Sequence, residues 1–303
     1  MPMDLPESYE FTQQQFHRVN CIYEVMERHV YPIIEREIDA QESLQEWDRE
    51  PTFLGLFLRA LTWVKSIDKL DEPTDLQPIL TSVRALLETS VDLNLLRAEP
   101  GTTLCWKMYW WEESAKLKAA TCLRDYYKRA LPRDGKNFPA DIPSVSADAM
   151  QFIDNNEAHL LNQRRTLWPS HVSNSGAPKH PERWTGSGEL LTDVRAADRA
   201  GGSLIKTIVG MPLEEFYESE YRRLSWNVHG SGLTIVRRLT PSGVHLMCGF
   251  GYLCCARLAL LCTKLVVDEF GVANEISIIQ KVIDGIAADQ ADENNNSNSA
   301  ANS

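Results

Sequence analysis

The sequence predicts an all-α protein, a multi-helix bundle of about eight to ten helices with a disordered C-terminal tail. Three observations carry that expectation. Apolar residues recur at steps of three and four through most of the chain, Pro and Gly breaks separate these runs, and no segment shows the strict apolar–polar alternation of a half-buried strand. A chain of 303 residues that is 43% hydrophobic can also bury a large core.

The elements follow in order. From Glu7 to Asp39, Phe16, Val19, Tyr23, Met26, Val30 and Ile33 mark one face of a long helix, which Pro32 should kink or split. Pro51 opens a second helix over Phe53 to Leu70, closed by the Asp71-Glu72-Pro73 break. A third, Pro78 to Arg97, turns Ile79, Val83, Leu86, Leu87, Val91 and Leu95 inward. The fourth, Thr103 to Ala130, is rich in Trp and Tyr, and Pro132 to Pro143 reads as a loop. A polar fifth helix, Ser146 to Leu167, is expected at the surface, and Pro169 to Gly188 is the longest stretch without a helical pattern. Two shorter helical pieces, Glu189 to Arg199 and Ser203 to Val209, follow. Leu213 to His229 has Glu214 and Glu215 in its first turn and Gly230 after its end, a matched pair of start and stop signals. An apolar helix, Val244 to Val267, and a last one, Asn274 to Ala287, precede a tail of Asn, Ser, Ala and acid. The expected organisation is an acidic N-terminal helical segment over 1–50, a helical domain over 51–288 and a disordered tail over 289–303.

Charge narrows the function classes. The net charge is −11, and residues 1–50 hold twelve carboxylates against four arginines, so most of the excess lies there. A generic nucleic-acid coat is excluded, because binding a polyanion without sequence preference needs surplus Lys and Arg. Met1 to Glu10 lacks a basic cluster followed by an apolar run, so no secretory signal is expected and the protein reads as cytoplasmic. The Val244 to Val267 stretch contains Arg257 and Lys264, which favours a core helix over a membrane span. Seven cysteines without a C-x-x-C pair read as reduced thiols; no metal ligand set and no cofactor motif is present.

Two polar rows stand out. Tyr221, Ser225 and His229 fall four residues apart, which lines up a phenol, a hydroxyl and an imidazole on one helix face, with Asn227 and Ser231 close by. Arg84, Glu88 and Asp92 form a second row at the same spacing in an otherwise apolar helix. If the rows face each other, Glu88 can orient or charge His229 while Arg84 supplies a fixed cation. The alternative is structural: a buried hydrogen-bond ladder and an internal ion-pair network. A Ser225-His229-Glu88 hydrolase triad is disfavoured, since Ser and His one turn apart on a helix seldom reach triad geometry.

Arg84-x3-Glu88, then Arg183-Trp184-Thr185-Gly186, then Tyr221-x3-Ser225-x3-His229-Gly230-Ser231 together resemble a widespread bacterial family of helical proteins known as a domain of unknown function. The resemblance spans residues 50–270. It implies that Trp184 and Gly186 meet the two polar rows in one place, and it brings no activity.

The chain is more distantly similar to HEPN ribonucleases, helical toxins and defence nucleases in which an Arg is followed after several residues by a His. Five residues separate Arg223 from His229 and six separate Arg222 from it. The resemblance implies metal-independent RNA cleavage, with His229 in acid/base catalysis, Arg222 or Arg223 steadying the phosphate, and a site usually built by two subunits. The sequence departs from that family at the polar residue that usually follows the Arg: here it is Leu224 after Arg223, or Arg223 itself after Arg222. Residues 155–240 carry eleven Lys and Arg against nine acids, a local surplus of two, and Trp168, Trp184 and Trp226 are interleaved with them as candidates for base stacking or for the core. Two functions therefore stay open: a regulatory protein binding a ligand or partner at the polar rows, and an HEPN-like ribonuclease with RNA as its partner. Aromatic residues on the fourth helix make a homodimer a further expectation.

Overall fold

Pro32 has no N–H to give to a helical hydrogen bond, and the first long helix changes pitch just before it. In the computed structural model, which describes residues 5–41, 43–70, 76–134, 142–221 and 240–272, α1 (Leu5–Val25) runs into a π-helical turn at Met26–Val30 and then into α2 (Tyr31–Asp39). The Tyr31 N–H reaches back to the Met26 carbonyl, so the wider turn absorbs the bend that the proline imposes.

The fold is all-α, as the periodicity predicts. After α2 come α3 (Arg49–Asp68), α4 (Leu76–Ala98), α5 (Thr103–Asp134), α6 (Ile142–Leu167), α7 (Leu190–Val209), α8 (Leu213–Phe216) with a π-helical turn at Tyr217–Tyr221, and α9 (Pro241–Glu269). Among the described residues there is no strand, and only an isolated bridge pairs Val172 with Pro178. Pro51 and Pro78 sit in the first turns of α3 and α4, where a missing N–H costs nothing. The expected last helix and the tail lie outside the described residues.

Three expectations need correction. Helix α5 continues through Pro132 to Asp134 instead of ending at Ala130. Helix α6 is not merely a polar surface helix, because Ile153 and Leu160 are buried with Leu117 of α5, flanked by Trp110, Ala120 and Phe152. The two pieces expected over Glu189 to Val209 form one helix, α7, which Gly201-Gly202 does not split. A Cβ at Gly201 would stand 2.2 Å from Oδ1 of the buried Asn94, so this glycine permits close approach of α4 and α7 rather than breaking a helix.

The chain divides into two units: Met1–Gln45, Arg49–Pro100 and Leu191–Ser303 form one, Glu46–Asp48 and Gly101–Leu190 the other. The boundary expected at residue 50 does not coincide with this division. In the first unit α9 is the central element, packed on α1, α3 and α4. In its most apolar stretch 83% of the residues are buried, which makes it a core helix. The acidic N-terminal segment contributes to the same core, with Val19, Met26, Val30 and Ile34 inaccessible to solvent. Such side chains each stabilise the fold by roughly 1.5–3 kcal/mol through burial.

Arg49 closes this unit. Its Nη1 donates to the carbonyls of Leu96 and Glu99, at 2.9 and 2.7 Å, where α4 ends. Its Nε and Nη2 grip both oxygens of Glu269 at the end of α9, the latter at 2.8 Å. All seven cysteines are free thiols, and burial pushes the pKa of Cys255 and Cys262 up.

In the second unit α5 pairs with α6. The α5 aromatics largely pack on neighbours: Tyr109 meets Trp47 and Trp110, and Trp110 meets Trp106 and His159 edge-on. Tyr126, 54% exposed, stands clear of the packing.

Candidate functional site

Helix geometry sets Arg84 and Glu88 one turn apart on α4, and Arg84 Nε donates to Glu88 Oε1 at 3.1 Å. Helix α3 adds Arg59, whose Nη2 lies 3.9 Å from Glu88 Oε2. One carboxylate thus faces two guanidinium groups. Tyr221, at the end of the π-helical turn, is buried, and the Arg84 guanidinium lies 5.9 Å from its ring centroid. Tyr217 stacks on Tyr221 with centroids 4.7 Å apart and planes 17° from parallel.

Burial is the largest single influence on Arg84 and opposes its charge. The hydrogen bond to Glu88 and the Coulombic influence of Tyr221, Glu88 and Tyr217 outweigh it and hold the pKa above the ordinary arginine value. Asp92, the third member of the α4 row, is 3% exposed. It lies toward the core near Cys262, where burial, and lastly the Asp92 charge, raise the thiol pKa against the opposing effect of Arg59.

The segment bearing Tyr217 and Tyr221 is positioned from α7. The N–H groups of Leu213 and Glu214 donate to Oδ1 and Oδ2 of Asp198, each at 2.7 Å, so a carboxylate from one helix caps the start of the next. The same region holds a cleft of about 340 Å³ lined by Arg195, Asp198, Arg199, Lys206 and Glu214. Arg195 is tied to Glu214 at 2.7 Å, whereas Arg199 and Lys206 form no ion pair among the described residues.

The sequence singles out Arg84, Glu88 and Tyr221, and the fold brings these three together. It does not single out Arg59 or Tyr217. Tyr217 was within reach, since it continues the four-residue step of Tyr221, Ser225 and His229 one turn upstream. Arg59 comes from another helix and has no local signal. Arg222, Arg223, Ser225, Asn227, His229 and Ser231 lie outside the described residues.

No protein-family model, curated protein or solved structure matches the chain.

The remaining motif, Arg183-Trp184-Thr185-Gly186, belongs to the second unit. Trp184 and Trp168 are 3% and 2% exposed, which assigns both to the core and leaves no free face for base stacking. Trp168 Nε1 donates to the Trp184 carbonyl at 3.0 Å. Gly186 has φ +83°, and a Cβ there would come 3.0 Å from Trp168 Cδ1, so both backbone and packing call for glycine. Lys107 Nζ donates to the Thr185 carbonyl at 2.9 Å and Trp111 Nε1 to that of Pro181 at 2.9 Å. The long segment between α6 and α7 is thus irregular but anchored along its length.

Sequence reasoning also missed a cluster beneath that segment. Arg164 of α6 is buried, donates from Nε to Ser114 Oγ and from Nη2 to the Ser114 carbonyl at 2.6 Å, and Ser114 Oγ lies 3.2 Å from His180 Nδ1. Burial, then the charges of Arg164 and Lys118, depress the His180 pKa to about 4. Burial alone pulls Arg164 below its ordinary value. A helical face carries part of the signal, for Trp111, Ser114 and Lys118 recur at steps of three and four on α5.

Proposed function

We propose that this chain is a cytoplasmic helical binding protein that recognises a small ligand or a partner segment at the polar site of Arg84, Glu88 and Tyr221. The observation that carries this reading is the placement of Arg84, whose guanidinium is held by Glu88 and set over a buried, stacked tyrosine. Fixing a cation in this way loses rotamer freedom before any ligand arrives, which is how a recognition site is preorganised. The Arg84 and Arg59 side chains are 38% and 44% exposed, so both remain reachable from solvent. The test is thermal unfolding against a panel of small anions, nucleotides and peptides, wild type beside Arg84→Ala. A compound that raises the melting temperature of the wild type alone supports the site; compounds that shift both proteins equally argue against it.

A second reading, a metal-independent HEPN-like ribonuclease of toxin or defence type acting as a homodimer, is favoured by two observations. Arg222 directly follows Tyr221 in the sequence, with Arg223 and His229 one and seven positions further on. Arg199 and Lys206, free of ion pairs among the described residues, line a cleft in the same unit and suit a phosphate backbone. In this reading His229 exchanges the proton and the arginine steadies the phosphate. RNA cleavage in EDTA by wild type but not by an equally folded His229→Ala variant establishes it. Cleavage by neither removes it, and growth arrest on expression, relieved by the same substitution, is its cellular counterpart.

A further inference from the structure

A guanidinium buried without a counter-charge is costly, because desolvation of the cation is not offset by an ion pair. Arg164 is in that position. It is 8% exposed, and among the described residues both its side-chain hydrogen bonds go to Ser114 and no carboxylate pairs with it. The charges that act on the adjacent His180 are likewise positive, those of Arg164 and Lys118. In a protein of net charge −11, two cations, Arg164 of α6 and Lys118 of α5, here act on one neutral imidazole from the segment after α6.

The hydrogen bonds give the cluster a direction. Ser114 Oγ accepts from Arg164 Nε and lies 3.2 Å from His180 Nδ1, to which we assign its O–H as donor. A ring that accepts at Nδ1 carries its proton on Nε2, and that nitrogen has no protein partner among the described residues. The Trp111 ring, 5.2 Å from the imidazole and tilted by 31°, holds it from the side. Inward to outward, the donors run from buried Arg164 through half-buried His180 to exposed Lys118.

We propose that Arg164, His180 and Lys118 form a binding site for a phosphate group, with Ser114 as the positioning residue that sets the imidazole tautomer. The chemistry selects a doubly charged oxyanion over a neutral ligand: the Arg164 guanidinium stands beside an imidazole whose N–H can donate, the exposed Lys118 charge acts on the same ring, and a dianion supplies the counter-charge that Arg164 lacks among the described residues. The site belongs to the second unit, and the Arg84 site to the first.

The test is titration of the full chain with inorganic phosphate, and in a second arm with a ribonucleoside monophosphate, against sodium chloride at matched ionic strength. Thermal unfolding and the His180 ring resonances are the readouts. Expected are a saturable rise in melting temperature with phosphate and not with chloride, and an upward move of the His180 titration midpoint equivalent to at least about a tenfold gain in proton affinity. Tighter binding of the nucleotide assigns an organic phosphate as the ligand; equal binding assigns the free ion. Arg164→Gln should weaken binding at least about tenfold. Lys118→Glu, a surface change that leaves the core intact, should do the same if the first variant does not fold. Equal effects of phosphate and chloride on the wild type, or a phosphate response that survives in Lys118→Glu, overturns the proposal and leaves Arg164 as a structural donor to Ser114.

Discussion

The guanidinium of Arg84 lies 5.9 Å from the ring centroid of Tyr221, and Glu88 fixes it there from one turn further along α4. Glu88 also faces Arg59 at 3.9 Å, so the two cations share one carboxylate. Neutralising Glu88 leaves two positive charges facing each other, while neutralising Arg84 leaves a simple pair. Glu88→Gln is therefore expected to destabilise the protein more than Arg84→Gln, by about 0.5–1 kcal/mol given the partial exposure of both arginines. Urea unfolding at low and high salt checks it, and the gap should shrink as salt screens the arginines. A Glu88→Gln variant as stable as Arg84→Gln would show that the cluster is electrostatically idle.

Neighbouring glycines on α7 should respond in opposite directions to the same change. Alanine is favoured over glycine inside a helix by roughly 1 kcal/mol, and at Gly202 nothing stands within 4 Å of an added Cβ. Gly202→Ala is expected to stabilise. At Gly201 the Cβ would meet Asn94 Oδ1 at 2.2 Å, and Asn94 is held by its own bond from Nδ2 to the Ser90 carbonyl at 2.8 Å. Gly201→Ala should cost about 1–3 kcal/mol net, the usual penalty of overpacking. Thermal unfolding of the two single variants decides the matter, and a stabilising Gly201→Ala would mean that α4 and α7 can separate freely.

That pair also shows what a sequence reveals and what it hides. Helical periodicity is a local property, and it located α1 to α7 and α9 to within a few residues at most ends because each buries one face. Whether a Gly-Gly pair breaks a helix or admits a neighbour depends on what lies opposite, and Asn94 is more than a hundred positions away. The site divides in the same way. Arg84, Glu88 and Tyr221 were legible as regularly spaced polar groups in apolar surroundings, whereas Arg59 and the Ser114, Arg164 and His180 cluster join only through packing of separate elements. Polarity misled at α6, whose few apolar residues suffice to bury it against α5.

Arg49 is expected to be the most costly single charge to remove. Its side chain and that of Glu269 are 13% and 18% exposed, and its guanidinium satisfies two terminal carbonyls of α4 besides the carboxylate. Arg49→Met preserves much of the volume but strands a carboxylate and two acceptors, at a cost of about 2–4 kcal/mol. Glu269→Gln keeps an acceptor and should cost less. Both follow from chemical denaturation at neutral pH, and an Arg49→Met variant within experimental error of wild type would refute the role of the clamp.

His180 should make stability fall as the solution is acidified. Burial, then Arg164 and Lys118, hold its folded-state pKa at about 4, below the ordinary value of 6.5. As pH drops through 6.5 the unfolded chain takes up this proton while the folded protein does not, so protonation favours unfolding until the folded pKa near 4 is also passed. The stabilisation is present in full above pH 6.5 and is lost across the interval down to about 4. Replacing the imidazole with a neutral amide removes the titration. His180→Gln is expected to flatten the stability–pH profile in that window and to leave the slope below pH 4, where carboxylates titrate, close to wild type. Urea unfolding at half-unit pH steps in buffers free of phosphate measures it. Identical slopes for the two proteins between pH 6.5 and 4 would show that His180 is solvated in the folded state and that Arg164 does not act on it.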